Sequence, residues 1–338
     1  MSSAHMPAGD HFEPEFTHSD HRTDLVVVGD CNPDVIVAGR DVTPAFGQQE
    51  KLVDGMHLVI GGSATITAVA AARLGLRVAL VAAVGDDPAG RLMTGMLAAE
   101  GVGVSAVAVR PGAPTGMTVV LSRGSDRAIL TATGSMTSLT AGDVPEDLVR
   151  SARHLHVSSY FLTEDSLGPG LAGLFAAARA AGATTSLDTN WDPAQRWGGG
   201  QLRAVLAQTD LLLPNEAEAL ALSGAGTLAE AVGALTATGA RLVVKLGARG
   251  ARTAAGGAEY DVSLPAVEPV DTTGAGDCFN AGLITGLLRG LDLPRAAALG
   301  CAVGAASTQG LGGTGSAPAL ADVLPAAEQA VIRPVPPG

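Results

Sequence analysis

The feature that most constrains this chain is a rhythm. Short β-branched apolar runs alternate with longer Ala- and Gly-rich stretches of helical spacing. Asp24-Leu-Val-Val-Val-Gly-Asp30 reads as a buried strand. Leu58-Val-Ile60 enters a Gly61-Gly62-Ser63 turn that opens a helix over Ala64–Leu74, stopped by Gly75. A strand at Val78–Val84 and a helix at Gly90–Glu100 repeat the unit. Later strands are predicted at His154–Ser158, Thr184–Asp188, Leu211–Leu213 and Leu242–Lys245. The matching helices are Leu171–Ala181, Ala217–Ser223, Leu228–Thr238, Gly276–Arg289 and Leu293–Gln309. Such alternation predicts an α/β fold, a doubly wound and mostly parallel sheet with helices on both faces, whose ligands sit beyond the carboxyl ends of the strands. The rhythm breaks once. Thr118–Ser122 and Arg127–Thr131 flank Gly124-Ser125-Asp126 as a hairpin, and with strands between 35 and 57 they predict a small separate sheet, such as a lid over 35–57 and 115–133.

Hydrophobic residues make up 47% of the chain and its mean hydropathy is +0.30, so a membrane protein has to be considered. Its longest apolar stretches, such as Cys278–Leu288 and Ala296–Ala306, fall far short of the ~20 residues a spanning helix needs. They read as tightly packed helices of a large core. A net charge of −12 speaks against a nucleic-acid partner, whose phosphate backbone demands a basic face. It leaves room for a phosphorylated small ligand in a Gly-rich turn. Cys31, Cys278 and Cys301 have no metal-ligand spacing and read as buried thiols, which fits a reducing cytoplasm. Residues 1–23 lack periodicity and export signals and are expected to form a disordered tail, with one domain over 24–330.

The sharpest chemical signal is Asp271-Thr-Thr-Gly-Ala-Gly-Asp277, running into an apolar helix. Gly274, Ala275 and Gly276 let the backbone aim several N–H groups at one point, at a helix N-terminus that favours an anion. Asp277 lies beside it, placed to take a proton from a hydroxyl. Local physics alone balances this against a plain capped turn. No Gly-x-x-x-x-Gly-Lys-Ser/Thr, no Gly-x-Gly-x-x-Gly opening the first unit, no Gly-x-Ser-x-Gly and no His-Glu-x-x-His is present, which removes support for P-loop, dinucleotide, serine-hydrolase and zincin readings.

Asp271–Asp277 with Cys278-Phe-Asn-Ala-Gly282 resembles the second signature of the ribokinase-like (PfkB) carbohydrate kinases. Gly61-Gly62-Ser63 through Val84-Gly-Asp-Asp-Pro-Ala-Gly90 is similar to the first, and the likeness spans about residues 24–325. The resemblance implies a ribokinase-like fold, with ATP and Mg²⁺ as cofactors. It makes Asp277 the catalytic base and Gly274, Ala275 and Gly276 the anion hole. It assigns Asn32, Asp34, Gly61, Gly62 and Ser63 to the sugar, with Asp188, Asn190 and, more remotely, Tyr160 near the same cleft. Asn215, Lys245, Gly247 and Gly250 would hold the nucleotide, and Glu218 would organise Mg²⁺ through water. Asp271 and Thr273 stand where some relatives bind a monovalent cation such as K⁺. One departure is clear. An Asn usual after the glycine pair is replaced by Thr65, Ile66 and Thr67, which argues against ribose.

The expected activity is therefore transfer of the ATP γ-phosphate to a hydroxyl of a small carbohydrate, in a cytoplasmic enzyme, with a homodimer formed through the lid. A nucleoside kinase of the same framework is the alternative, weakened by an aromatic content of 3%. A non-catalytic ligand-binding relative would have no need for Asp277.

Overall fold

All six residues of the first apolar run, Thr23–Val28, are buried as β1, which a central strand covered on both faces requires. The computed structural model describes residues 23–123 and 126–336. Thr23 already belongs to the sheet, and the rest of the expected tail lies outside the described residues, as does the Gly124-Ser125 hairpin tip.

From β1 the chain enters β2 (Asn32–Ala38) and returns through β3 (Gly55–Gly61) into α1 (Ser63–Arg73). There follow β4 (Val78–Gly85), α2 (Pro88–Ala99), β5 (Gly103–Arg110), β6 (Met117–Arg123) and β7 (Asp126–Ala132). The short α3 (Glu146–Ser151) leads to β8 (Ala152–Val157), α4 (Tyr160–Ala180), β9 (Thr184–Leu187), α5 (Gly200–Leu206) and β10 (Leu211–Leu212). Next come α6 (Glu216–Ser223), α7 (Leu228–Thr236), β11 (Arg241–Lys245), β12 (Ala251–Ala255) and β13 (Ala258–Ser263). The described chain closes with α8 (Ala275–Leu288), α9 (Leu293–Ser307), α10 (Leu320–Glu328) and β14 (Val331–Pro334).

The main sheet runs β14-β13-β12-β11-β10-β9-β8-β1-β4-β5, parallel from β5 to β11 and antiparallel through β12, β13 and β14. The second sheet, β3-β2-β6-β7, is joined to it where β2 leaves β1 and where β3 enters α1. Several elements depart from the sequence expectation. The edge strand β5 is half-exposed, and the β12–β14 arm is built largely of alanine and charged residues; neither was expected, nor were α3, α5 and α10. α4 begins eleven residues before the expected Leu171, running through Gly168-Pro169-Gly170, which read as a break.

Helices α8 and α9 pack backbone to backbone. A Cβ at Gly282 would lie 2.9 Å from Gly300 Cα, and one at Gly300 would lie 2.9 Å from the Phe279 carbonyl oxygen. The small-residue composition of both helices permits this approach, and it anchors the helix that carries Asp277. Among the described residues no single helix is long and apolar enough to cross a membrane. Gly300→Leu is expected to cost about 1–3 kcal/mol, because overpacking must separate the two helices. Thermal melting reads this, and an unchanged midpoint would contradict the close contact.

Candidate active site

The antiparallel register of β2 and β3 pairs Asn32 with Gly61 and Asp34 with Val59. Both polar side chains thus emerge beside the glycine pair that opens α1. Asn32 Nδ2 donates to Asp34 Oδ1 at 2.8 Å and to Thr118 Oγ1, on β6, at 3.2 Å. A Cβ at Gly61 would overlap the Asp34 carboxyl, and Gly62 has φ 87° with Asn32 Oδ1 2.8 Å from its would-be Cβ. Only glycine lets the carboxylate lie flat against the backbone here. Burial raises the Asp34 carboxyl to about 7, and the neighbouring Asp30 charge adds to it.

Gly62, the N-cap of α1, has no side chain to satisfy the first amides. Asp30 does so from the end of β1, accepting from Ser63 N at 3.0 Å and Ala64 N at 2.9 Å. Ser63 Oγ accepts from Asn190 Nδ2 at 3.0 Å, and the Ser63 side chain also hydrogen-bonds Asp277. Asn190, in the left-handed region at φ 54°, accepts from Ser159 N at 2.7 Å through its Oδ1. Three strand ends are therefore tied through one asparagine.

Gly274 is the N-cap of α8 at φ 71°, and a Cβ there would approach Gly313 Cα at 2.5 Å. Ala275, Gly276 and Asp277 form the first turn of the helix; the Ala275 N–H donates to the Thr272 carbonyl at 3.3 Å, and those of Gly276 and Asp277, at the dipole's positive end, have no intrahelical acceptor. Asp277 is buried, with a carboxyl held well above the usual range, first by burial and then by the charge of Asp188; Lys245 opposes both. Lys245 Nζ, 3.6 Å from the would-be Cβ of Gly276, pairs with Asp188 Oδ2. That same oxygen accepts from Asn280 Nδ2 at 2.6 Å. Burial pushes the Lys245 ammonium down, but Asp188, Glu218 and Asp277 outweigh it and keep it charged.

On the far side of Lys245, Asn215 and Glu218 form a reciprocal capping box at the start of α6, each accepting from the other's backbone N–H at 2.9 Å. Glu218 is buried, and its carboxyl is raised to about 7 by burial and by the charge of Asp188. Asn215 bridges to Lys245 along the sheet. Gly247 (φ 60°) and Gly250 (φ 90°) shape the turn from β11 to β12, where Arg249 pairs with Glu216. The Asn32–Asp34 pair beside the glycines, the start of α8 and the Asp277 carboxyl thus lie in one connected network at the carboxyl ends of the strands.

The sequence matches the pfkB family of carbohydrate kinases over residues 22–320. The chain belongs to that family. It is 29% identical over 320 residues to the ribokinase of Haemophilus influenzae, covering 91% of this chain and 100% of that protein. A protein from E.coli assigned as a ribokinase II, solved with ATP and Mg²⁺, aligns with a TM-score of 0.79 at 26% identity over 89% of this chain and 97% of its own. The fructokinase of Vibrio cholerae O395, solved in fructose-, ADP- and calcium-bound form, aligns with a TM-score of 0.75 at 27% identity, covering 90% and 98%.

Within this pfkB kinase one expected site residue is turned away and another is tied to the chain itself. Tyr160 is fully buried in the core, edge-on to Phe161, and its hydroxyl has no partner among the described residues. It opens α4 with its ring turned into the core, while Asn190 at this strand end is tied to Ser159 and Ser63. Asp271 uses Oδ1 to accept from Thr273 N (2.9 Å) and Thr273 Oγ1 (2.7 Å), and Oδ2 to accept from Gly312 N (2.8 Å). Both oxygens are engaged by the chain itself, and Asp271 pins the Gly-Ala-Gly loop to the 310–315 loop.

Three residues of the pfkB kinase site were missed. Asn280 lies three positions after Asp277, on the same face of α8, a spacing that helix geometry could have flagged. Asp30 read as a strand end, and its capping of α1 is a contact across 33 residues. Arg127 reaches from β7 to Thr272 Oγ1 (3.3 Å) and Thr273 Oγ1 (3.2 Å), so the second sheet touches the anion-hole loop. Nothing local announces that.

Lys245→Met removes the cation between buried carboxylates and should destabilise the fold by about 3–5 kcal/mol. Adding Asp188→Asn should recover part of that loss. Denaturant midpoints of the two single variants and the double variant test it; strict additivity would show that the charges are not coupled.

Proposed function

We propose that this chain transfers the γ-phosphate of ATP to a hydroxyl of a small carbohydrate, with Asp277 as the base and the amides of the Gly274–Asp277 turn as the anion hole. The observation that carries the reading is the continuity from Asn32, Asp34 and Gly61 through Ser63 to Asp277. A hydroxyl held by the cradle then lies beside the one carboxylate at the helix start. Asn32 and Asp34 orient the sugar, with one carboxyl oxygen of Asp34 receiving Asn32 and the rest of the group left to take substrate hydroxyls. Asp277 accepts the proton of the attacking hydroxyl. Ala275, Gly276 and Asp277 N–H groups and the Lys245 ammonium stabilise the negative charge of the moving phosphoryl group.

ATP as donor is supported by the nucleotide complexes of the two solved relatives. Mg²⁺ fits the donor set: Glu218 is a buried carboxylate in a negatively charged surrounding, and Mg²⁺ is held by one or two carboxylates, phosphates and water. Bound there, it would neutralise phosphate charge. Asn215 positions Glu218, and Gly247 and Gly250 shape the neighbouring loop for the nucleotide. The sheet β3-β2-β6-β7 acts as a lid that excludes water, with Arg127 closing onto Thr272 and Thr273. Its other surface leaves Met56, Leu58 and Leu130 exposed, which suits pairing with a second copy. Three buried free cysteines are in keeping with a reducing cytoplasm.

Asp277→Asn is expected to lower kcat by ~10²–10⁴-fold in a coupled ADP-release assay over a sugar and nucleoside panel with ATP and Mg²⁺. A variant that keeps more than a tenth of the rate would remove the base assignment, and turnover with nucleosides alone would change the substrate class. The folded pKa of Asp277 is raised, so its base form appears only as pH climbs. Activity should therefore rise with pH on an acidic limb lying above the ordinary carboxylate range. Asp34→Asn should raise the sugar KM about tenfold or more while kcat falls less, the pattern of a lost binding contact.

A further inference from the structure

At the end of the sheet opposite the transfer site, the amino ends of β8, β9 and β11 and the carboxyl end of α8 line a half-open cavity of about 370 Å³. Arg153, His154, Thr184, Arg241, Leu288 and Leu291 contribute to its wall. Arg153 already donates to the Leu288 carbonyl at 2.6 Å and faces Asp24 at 3.4 Å, answering the negative end of α8. Arg241 has no carboxylate within ion-pair distance among the described residues. A guanidinium fork matches a carboxylate, and leucine walls suit the carbons that carry it, so the wall selects a small organic carboxylate over an inorganic ion.

A line of hydrogen bonds starts in this wall and ends at the transfer site. Thr184 Oγ1 meets His154 Nδ1 at 2.6 Å, and His154 Nε2 meets Ser186 Oγ at 2.7 Å. Ser186 Oγ meets His156 Nδ1 at 2.7 Å, and His156 Nε2 meets Ser158 Oγ at 2.8 Å. Thr184 is exposed at the cavity, while the other four side chains are buried. Ser158 adjoins Ser159, whose N–H holds Asn190, and Asp188 N–H donates to the Val157 carbonyl at 2.9 Å.

Burial keeps both imidazoles neutral, with His156 lowered to about 4. A neutral imidazole donates at one nitrogen and accepts at the other. The line consequently has two self-consistent directions: both rings carry the proton on Nε2, or both carry it on Nδ1. An anion at the Thr184 hydroxyl draws that proton toward itself. Thr184 then accepts from His154 Nδ1–H, and each link reverses in turn as far as Ser158.

We propose that the cavity binds a small organic carboxylate on Arg153 and Arg241, and that the bound anion sets the direction of the Thr184–His154–Ser186–His156–Ser158 line. The direction of the line decides whether Ser158 donates or accepts beside the segment carrying Asp188 and Asn190, giving the far cavity a grip on the transfer site. The proposal does not rest on the kinase reading, since its readouts need no turnover.

The test uses the full chain with succinate as the probe, thermal melting and ¹⁵N NMR of the histidine rings. Succinate should raise the melting temperature saturably, beyond what sodium chloride of equal ionic strength does. Arg241→Gln, outside the transfer site, should weaken the apparent affinity about tenfold. At saturation His154 and His156 should both carry the proton on Nδ1, and in Ser186→Ala only His154 should respond. A melting shift that Arg241→Gln keeps in full would overturn the site. Imidazole protons on Nε2 at succinate saturation would overturn the coupling. An equal shift with inorganic phosphate would overturn the choice of a carboxylate.

Discussion

Everything at the transfer site hangs on the buried pairing of Lys245 with Asp188, shared by Asn280. Asp188, Asp277 and Glu218 are all buried, and three carboxylates so close cannot ionise together in a medium of low polarity without a cation among them. Lys245 supplies it from the end of β11, directly below the Gly-Ala-Gly turn. Asp188 comes from the end of β9 and Asn280 from α8, so the pairing also locks a helix to the strand ends of the sheet. Burial, with the Asp188 charge added and Lys245 opposing, raises the Asp277 pKa, which makes its carboxylate a stronger proton acceptor than an exposed aspartate.

Close backbone approach is the second theme, and it has one physical reason in each place. Gly61 makes room for the Asp34 carboxyl, Gly274 for the 310–315 loop, and Gly282 with Gly300 for the contact of α8 and α9. In each case a side chain would push a functional group away from its partner. An alanine- and glycine-rich core is thus how the catalytic helix is brought against its neighbours. The second sheet enters the same network at two points, Thr118 to Asn32 and Arg127 to the anion-hole loop, so closure and chemistry share residues.

Apart from β5, the parallel strands of the main sheet, most of the helices that cover them and the hairpin β6–β7 were legible because each shows its own period over a few residues. So was the Asp271–Asp277 turn, since its glycines and its carboxylate are neighbours in sequence. Illegible were the half-exposed edge strand β5, the β12–β14 arm, whose alanine and charged residues show little strand pattern, and the start of α4, where glycine and proline tolerate a helix that tertiary packing supplies. Tyr160 was placed near the cleft because it follows a strand end, but a strand end does not say which way a ring turns. Asp271 stands out in the sequence by position, but its hold on Gly312 across 41 residues does not.

The sequence by itself determined the fold class, the family and the segments that meet at the site, because periodicity and short-range turn chemistry are local properties. Tertiary structure alone decided which polar groups answer one another. Asp30 with α1, Asn190 with Ser63, Lys245 with Asp188 and the histidine line beneath α8 join residues far apart in the chain. A hydrogen bond or an ion pair depends on distance and orientation, and those are set only when the sheet has closed and the helices have packed against it.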